Sequence, residues 1–273
     1  MQEKRIALVT GGGTGIGRGI ALALARRGMD VALVGRRAAP LEAVAQEVSA
    51  LGARGVALPT DVTVASERAA LIERVHAALG LLDLLVNNAG MMAGGDLVTL
   101  SAEEIEQAVA LNLTAPMDLT RLALPDLAAS RGAVVLVASA VSHVPLPSGS
   151  LYTATKTGLR AFGETLRYEL EPLGVHLLIA YPPAVKTAMT AGMAAAAGVP
   201  IFPMLAPEKA GERIVSALFA HKRELQFGFS EQTTAHLYKI APWLVKLGLR
   251  SQRRRFSRMM KAVRLNRREP TNG

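Results

Sequence analysis

Thr10-Gly11-Gly12-Gly13-Thr14-Gly15-Ile16-Gly17 follows the apolar run Ile6-Ala7-Leu8-Val9 and opens a helical stretch that ends at Gly28, after Ala25-Arg26-Arg27. A glycine-rich turn between a strand and a helix is the setting in which a dinucleotide binds. Glycine permits the tight turn and lets the backbone approach the pyrophosphate, whose charge then faces free N–H groups and the positive end of the helix. The spacing is Gly-xxx-Gly-x-Gly rather than GxGxxG. A merely structural turn is the competing reading, and the position between strand and helix favours the phosphate site.

Outward from this turn, short apolar runs bounded by turn residues alternate with amphipathic stretches. That pattern belongs to parallel strands buried on both faces by crossover helices. Strands are predicted at Ile6–Thr10, Val31–Gly35, Gly55–Pro59, Leu82–Asn87, Ala133–Ser139, His176–Tyr181 and Leu225–Phe227. The fold class is therefore α/β, a Rossmann-type doubly wound parallel sheet of about seven strands in a single domain. Helix punctuation agrees. Gly28 is placed as a left-handed stop, Pro40 stands in a first helical turn, and Ser101-Ala102-Glu103-Glu104 reads as a capping box that starts a helix containing Asn112.

Composition narrows the chemistry. The 273 residues are 50% hydrophobic, enough for one full core, and contain no cysteine. Disulfides, thiolate catalysis and cysteine-ligated metals are excluded, and no metal site is expected. Met1-Gln2-Glu3-Lys4-Arg5 leads straight into the first strand, too short for a signal peptide, so a cytoplasmic location is expected. The formal charge of +9 is not spread evenly: ten of the 31 basic residues and one of the 22 acids lie between Lys246 and Glu269, leaving residues 1–245 without net charge. The chain divides on this basis into a dinucleotide-binding domain, 1–245, and a basic extension, 246–273.

The second predicted strand ends Gly35-Arg36-Arg37, where an NAD-binding chain would usually place an acid on the ribose 2′-hydroxyl. Gly35 leaves room and Arg36 offers a guanidinium suited to a 2′-phosphate, which favours NADP(H) over NAD(H). A solvated pair of arginines leading into a helix is the alternative. Farther on, Tyr152 and Lys156 are four residues apart and share one helix face, and Ser139 ends an apolar strand thirteen residues before Tyr152. Strand ends at the carboxyl edge of a parallel sheet are where ligands bind.

Together with the glycine turn, these residues make the chain resemble the classical short-chain dehydrogenase/reductase family. The matches are Thr10-Gly11-xxx-Gly15-x-Gly17, Asp61-Val62, Asn87-Asn88-Ala89-Gly90, Asn112, Ser139, Tyr152-xxx-Lys156 and Thr187, spread over residues 6–187. The resemblance implies a strand order 3-2-1-4-5-6-7, a dimer or tetramer, and roles for matching positions. Gly11, Gly13, Thr14, Gly15, Ile16 and Gly17 would cradle the cofactor phosphates, with Arg36 and Arg37 at the adenosine ribose. Asp61 and Val62 would meet the adenine, Asn88, Ala89 and Gly90 the adenosine side, and Val185 and Thr187 the nicotinamide end. Tyr152 would be the general acid and base, Ser139 the hydrogen-bond partner of the reacting oxygen, Lys156 the holder of the nicotinamide ribose, and Asn112 the support of a proton-relaying water.

The chemistry implied by those roles is physically coherent. A free phenol has a pKa of about 10, and a neighbouring Lys156 ammonium together with a cationic nicotinamide is expected to favour the phenolate. In reduction Tyr152 would donate a proton to the substrate oxygen while Ser139 hydrogen-bonds it. One departure from the family stands at Tyr181-Pro182-Pro183, where Pro-Gly is usual. Pro183 lacks an N–H and stiffens the turn beside the nicotinamide.

From Thr187 to Pro207 no residue is charged, and Gly192, Gly198, Pro200 and Pro203 argue against a membrane span. The resemblance makes 187–207 the substrate lid, and its Met189 and Met193, placed with Ser139 and Tyr152 around the substrate, point to a small apolar ketone, aldehyde or alcohol that is lipid-, acyl- or steroid-like; a segment that simply packs on its own core or on a subunit is the alternative. Met91, Met92 and His143 are further candidates for the pocket rim. Beyond Phe229, Leu237, Ile240, Leu244 and Leu247 keep helical spacing, as do Phe256, Met259 or Met260, and Val263, with Pro242 interrupting. Residues 246–268 could lie on an anionic membrane, meet an acidic partner, or pack on their own domain; specific nucleic-acid binding is not expected. The rival to an enzyme is a non-catalytic NADP(H)-binding sensor or scaffold that works through its basic tail.

Overall fold

Each strand carries apolar side chains in alternation, and the alternation sorts them to two helical layers. The computed structural model describes residues 4–190 and 204–268. Strands β1 (Ile6–Thr10), β2 (Asp30–Gly35), β3 (Gly55–Pro59), β4 (Leu84–Asn87), β5 (Ala133–Val137), β6 (His176–Tyr181) and β7 (Glu224–Gln226) form one parallel sheet in the order β3-β2-β1-β4-β5-β6-β7. Helices α1 (Gly15–Ala25), α2 (Ala38–Ala50) and α7 (Pro207–Phe219) cover the face reached by Ala7, Val9, Val31 and Leu33. Helices α3 (Ala65–Ala78), α5 (Ala115–Ala129) and α6 (Ser150–Leu170) cover the face reached by Ile6, Leu8, Ala32 and Val34. The short helix α4 (Ala102–Val109) precedes α5, and α8 (Phe229–Ile240), α9 (Pro242–Ser251) and α10 (Arg253–Arg268) follow β7.

The strand order reverses between β1 and β4, which both flank the point where the chain switches direction across the sheet. A crevice opens there at the carboxyl ends of the strands. α1 reaches close to α7 because both present glycine: a Cβ on Gly19 would stand 2.5 Å from the Pro207 carbonyl oxygen. That contact seats α1, and with it the glycine turn, firmly on the sheet.

Several expected boundaries shift by one or two residues. β4 begins at Leu84 rather than Leu82, because the Leu82 N–H donates to the Asp126 carboxylate at 3.0 Å instead of to a strand. β5 stops at Val137, before Ser139, since the Ala140 N–H turns to the Pro182 carbonyl at 3.1 Å. β7 is Glu224–Gln226 rather than Leu225–Phe227. The Ser101–Glu104 capping box is present, with Glu104 N–H to Ser101 Oγ at 3.2 Å and Ser101 N–H to Glu104 Oε2 at 3.0 Å. The helix it starts is not continuous through Asn112: residues Ala110–Thr114 form a π turn. Pro242 opens α9, and the chain bends at Ala241.

Candidate active site

The glycine turn is built by contacts that no side chain could share. Gly11 has φ +66°, and a Cβ there would stand 2.9 Å from Asn88 Nδ2 and 3.1 Å from Ala89 Cα. A Cβ on Gly17 would overlap the Gly11 carbonyl oxygen. The turn is tied to the loop after β4: Asn88 Nδ2 donates to the Thr10 carbonyl at 2.8 Å, and Thr10 Oγ1 accepts from the Asn88 and Ala89 N–H groups, each at 3.0 Å. Asn88 therefore shapes the cradle from behind, and Thr10, whose hydroxyl the sequence reading passed over, is its anchor. At the start of α1, Thr14 makes no side-chain cap and the first turn holds no acid. Gly15, Ile16 and Gly17 thus begin a helix whose N–H groups await an acceptor of negative charge. These residues fit the pyrophosphate of a dinucleotide.

Across the cradle, Thr187 comes down on Gly15, where a Cβ would meet the Thr187 methyl at 3.0 Å. Thr187 is held by Thr190, whose hydroxyl accepts from the Thr187 N–H at 3.1 Å and donates to the Val185 carbonyl at 2.6 Å. Val185 pairs with Leu205, and the Lys186 N–H donates to the Leu205 carbonyl at 2.9 Å, which closes the base of the expected lid. Met189 is partly exposed at that base. Met193 lies outside the described residues. Pro183 follows β6 as expected, and the neighbouring Pro182 carbonyl is the one that accepts from Ala140.

Toward the adenosine side, β2 ends at Gly35, where a Cβ would find nothing nearer than 3.6 Å. Arg36 and Arg37 are exposed. Asp61, just after β3, holds Thr63 through its N–H at 2.9 Å and its hydroxyl at 2.7 Å. Burial alone would raise the Asp61 carboxyl, but these two hydrogen bonds and the charge of nearby Arg36 together hold it below its usual range. Arg36 and Asp61 thus share one end of the crevice. Val62 is buried, and its carbonyl accepts from Arg68, which is itself paired with Asp118 at 2.7 Å.

The other end of the crevice holds the serine, tyrosine and lysine. Ser139 leaves β5 extended and caps a short 3-10 turn, Ala140–Ser142, accepting from the Val141 N–H at 3.4 Å. Ser142 Oγ donates to the Lys156 carbonyl at 3.0 Å, fastening that turn to α6. Tyr152 and Lys156 lie one turn apart on α6, both buried. Lys156 Nζ donates to the Val137 carbonyl at 2.8 Å, and burial lowers its pKa to about 8. Burial raises the Tyr152 phenol above its ordinary value, opposed by a hydrogen bond with the Ser139 side chain. In the chain by itself the Lys156 ammonium is engaged by Val137, and desolvation governs the phenol. Tyr152 is therefore a protonated acid at neutral pH, with Ser139 already in contact with it.

Asn112 is fully buried in the π turn, where Oδ1 accepts from the Met91 N–H at 2.8 Å, and Nδ2 donates to the Met91 carbonyl at 2.8 Å and to Thr155 Oγ1 at 3.1 Å. The extra residue of the π turn lets this amide face the loop after β4. Its side chain clamps Met91 to α6, and Gly90 passes so close that a Cβ would meet Asn112 Oδ1 at 3.2 Å and Lys156 Nζ at 3.3 Å.

An apolar wall covers Tyr152. Phe256, Met259, Met260 and Val263 of α10 are buried in one cluster with Tyr152 and Met92, against which Met204 and Leu249 pack. A Cβ on Gly94 would stand 2.6 Å from the Met260 carbonyl oxygen, so α10 lies directly on the loop after β4. The helical spacing of these four residues is visible in the sequence, but nothing in it names Tyr152 as their partner. Met92 is thus part of the wall, whereas Met91 packs one step away, beside Leu151. His143 is turned from the site, its ring 4.3 Å from that of Tyr181, and its pKa is lowered to about 4 by burial and by Arg160. It carries no proton at neutral pH.

A family model described as short chain dehydrogenase matches residues 5–197. The chain belongs to the short-chain dehydrogenase family. Among curated relatives, the ketoacyl reductase HetN of Nostoc sp. is 35% identical over 188 residues, covering 68% of this chain and 66% of the relative. This chain thus spans just under two thirds of that protein's length. Among solved structures of the fold, an alcohol dehydrogenase from the archaeon Thermococcus sibiricus complexed with 5-hydroxy-NADP superposes with a TM-score of 0.72, at 28% identity over 82% of this chain and 96% of that one. A short-chain dehydrogenase from Sphingobium yanoikuyae in complex with NADPH gives a TM-score of 0.73, at 28% identity over 90% of this chain and 95% of that one. The seven-stranded sheet and its order are those of this dehydrogenase family.

Proposed function

We propose that this short-chain dehydrogenase is an NADP(H)-dependent oxidoreductase that interconverts a carbonyl and an alcohol on an apolar molecule. The observation that carries this reading is the buried pair of Ser139 and Tyr152, hydrogen-bonded to each other and enclosed between the glycine cradle and the apolar wall of α10. When bound, the nicotinamide supplies or accepts the hydride. The rest is done by the chain. In reduction the Tyr152 hydroxyl gives its proton to the substrate oxygen, and the Ser139 hydroxyl donates a hydrogen bond to the same oxygen as negative charge develops there. Lys156, held by Val137 below Tyr152, supplies positive charge on the side from which a proton must be replaced. Exclusion of water by Phe256, Met259 and Met260 strengthens each of these contacts and selects an apolar substrate.

The cofactor preference is supported by Arg36 beside Asp61, by the open space at Gly35, and by the phosphorylated cofactors in the two related structures. A panel of ketones and aldehydes graded by size, followed through NADPH absorbance, tests the reading. Wild type is expected to turn over the larger apolar members, and Tyr152→Phe to bind NADPH normally while losing about 10²- to 10⁴-fold in rate. A Tyr152→Phe enzyme of near wild-type rate removes Tyr152 from the chemistry. NADPH binding without consumption across the whole panel favours the sensor instead.

A further inference from the structure

We propose that the outward face of α8 and α9 docks on an anionic lipid surface. The apolar side of α10 is turned inward over Tyr152, so the stretch 246–268 does not offer one continuous membrane-facing helix. The uncovered apolar surface lies earlier. At about 100° per residue, Val245 and Leu249 of α9 point toward the domain, Leu249 onto the Phe256 and Met260 cluster. Trp243, Leu244 and Leu247 take the opposite arc and are 66%, 43% and 63% exposed. On the preceding α8, Leu237 and Ile240 are exposed as well, to 40% and 83%. α9 is thus apolar on two faces, of which its own domain covers one. Scattered apolar residues are ordinary on a surface, whereas a line of them that includes a tryptophan marks a contact with something apolar.

Charge selects what that contact is. No aspartate or glutamate occurs between Glu231 and Glu269. Lys246 and Arg250 run along one edge of the Trp243 and Leu247 arc, Lys239 stands beside Ile240, and Arg253 and Arg254 follow, all exposed. A second copy docked face to face would bring these cations together without an acid between them, which is repulsive. A nucleic acid would satisfy the cations and leave Ile240, Leu244 and Leu247 in water. An anionic bilayer satisfies both, with headgroup charge for the cations and an interfacial zone for tryptophan and the aliphatic side chains. No helix among the described residues is long and apolar enough to cross a membrane, so the contact lies in the plane of the interface. Because Leu249 joins the docked helix to the wall above Tyr152, an apolar substrate would reach the site from the lipid side; that consequence rests on the proposed function, whereas the docking does not.

Sedimentation of the full-length chain with phosphatidylcholine vesicles, with and without phosphatidylserine, tests the docking. Wild type is expected to pellet with the serine-containing vesicles and to be released by salt. The double variant Trp243→Glu/Leu247→Glu should stay in the supernatant, and Lys246→Gln should weaken binding by about fivefold. All variants should keep wild-type NADPH affinity, which shows that they are folded and separates failure of docking from failure of the oxidoreductase reading. Equal pelleting of wild type and the double variant overturns the proposal. So does a wild-type dimer that the double variant converts to monomer without any vesicle binding, which assigns the face to a second copy. Displacement from vesicles by an acidic protein or by RNA at equal charge, with the double variant binding that competitor as well as wild type, would leave the apolar line without a role and overturn it too.

Discussion

Replacing Gly17 with alanine sets a methyl group against the carbonyl that closes the phosphate cradle. The added Cβ would overlap the Gly11 oxygen and stand 2.6 Å from Asn88 Nδ2 and 2.7 Å from the Gly11 carbonyl carbon. These neighbours are backbone or an amide fixed to the Thr10 carbonyl at 2.8 Å, so none can swing aside. Ordinary contact begins at 3.4 Å, and the turn and the first turn of α1 must separate by roughly 1 Å. Overpacking of this kind costs about 1–3 kcal/mol of fold stability. The larger effect falls on the cofactor, since a hydrogen bond to a charged group contributes about 1.5–3 kcal/mol and decays steeply with geometry. Loss of one such bond raises the NADPH dissociation constant roughly 10- to 100-fold. Titration by NADPH fluorescence measures this directly. Gly28→Ala is the control: its φ of +79° makes alanine strained, but no atom lies within 4 Å of the added Cβ. It should lower stability by about 1–2 kcal/mol and leave cofactor affinity unchanged. Gly17→Ala with wild-type affinity, or Gly28→Ala with an equal loss, refutes the cradle as described.

Arg36→Asp is expected to reverse the preference between NADPH and NADH, because an acid there repels a 2′-phosphate and accepts a ribose hydroxyl; unchanged relative affinities would detach Arg36 from cofactor choice. Asn112→Ala leaves the Met91 N–H and carbonyl without their partner and should lower stability by about 2–4 kcal/mol in denaturant unfolding; a loss below ~0.5 kcal/mol would mean that the clamp is dispensable. His143 is buried with its pKa lowered from 6.5 to about 4 by burial, Arg160, Lys239 and His236. The unfolded chain therefore binds the proton first, and the stability this group contributes is present above pH 6.5 and is lost as pH falls toward 4. His143→Asn should flatten that part of the stability profile, and an identical slope in both proteins would contradict it.

The sheet was legible because its strands are buried on both faces, and Val31–Gly35 or Ala133–Val137 can satisfy that environment only as unbroken apolar runs. The glycine turn was legible because Gly11 and Gly17 are needed for backbone reasons that show directly as glycine. Asn112 was harder. A π turn has no residue signature of its own, and a buried amide that clamps Met91 looks, in one dimension, like any helical asparagine. The roof over Tyr152 was legible as a helix and not as a contact, since the spacing of Phe256, Met260 and Val263 reports that one face is covered without saying by what. One contact of Lys156 was hidden for a related reason. Its place one turn from Tyr152 follows from sequence, but its engagement by the Val137 carbonyl depends on where β5 ends, two residues before Ser139.

α10 also bears on the order in which a ribosome completes this protein. All seven strands and the glycine turn have been made by Gln226, whereas Phe256, Met259 and Met260 emerge afterwards. A nascent chain can therefore pair all seven strands before the residues that cover the tyrosine have been made. The cover of Tyr152 is thus held to the sheet by packing across the chain and not by neighbouring sequence.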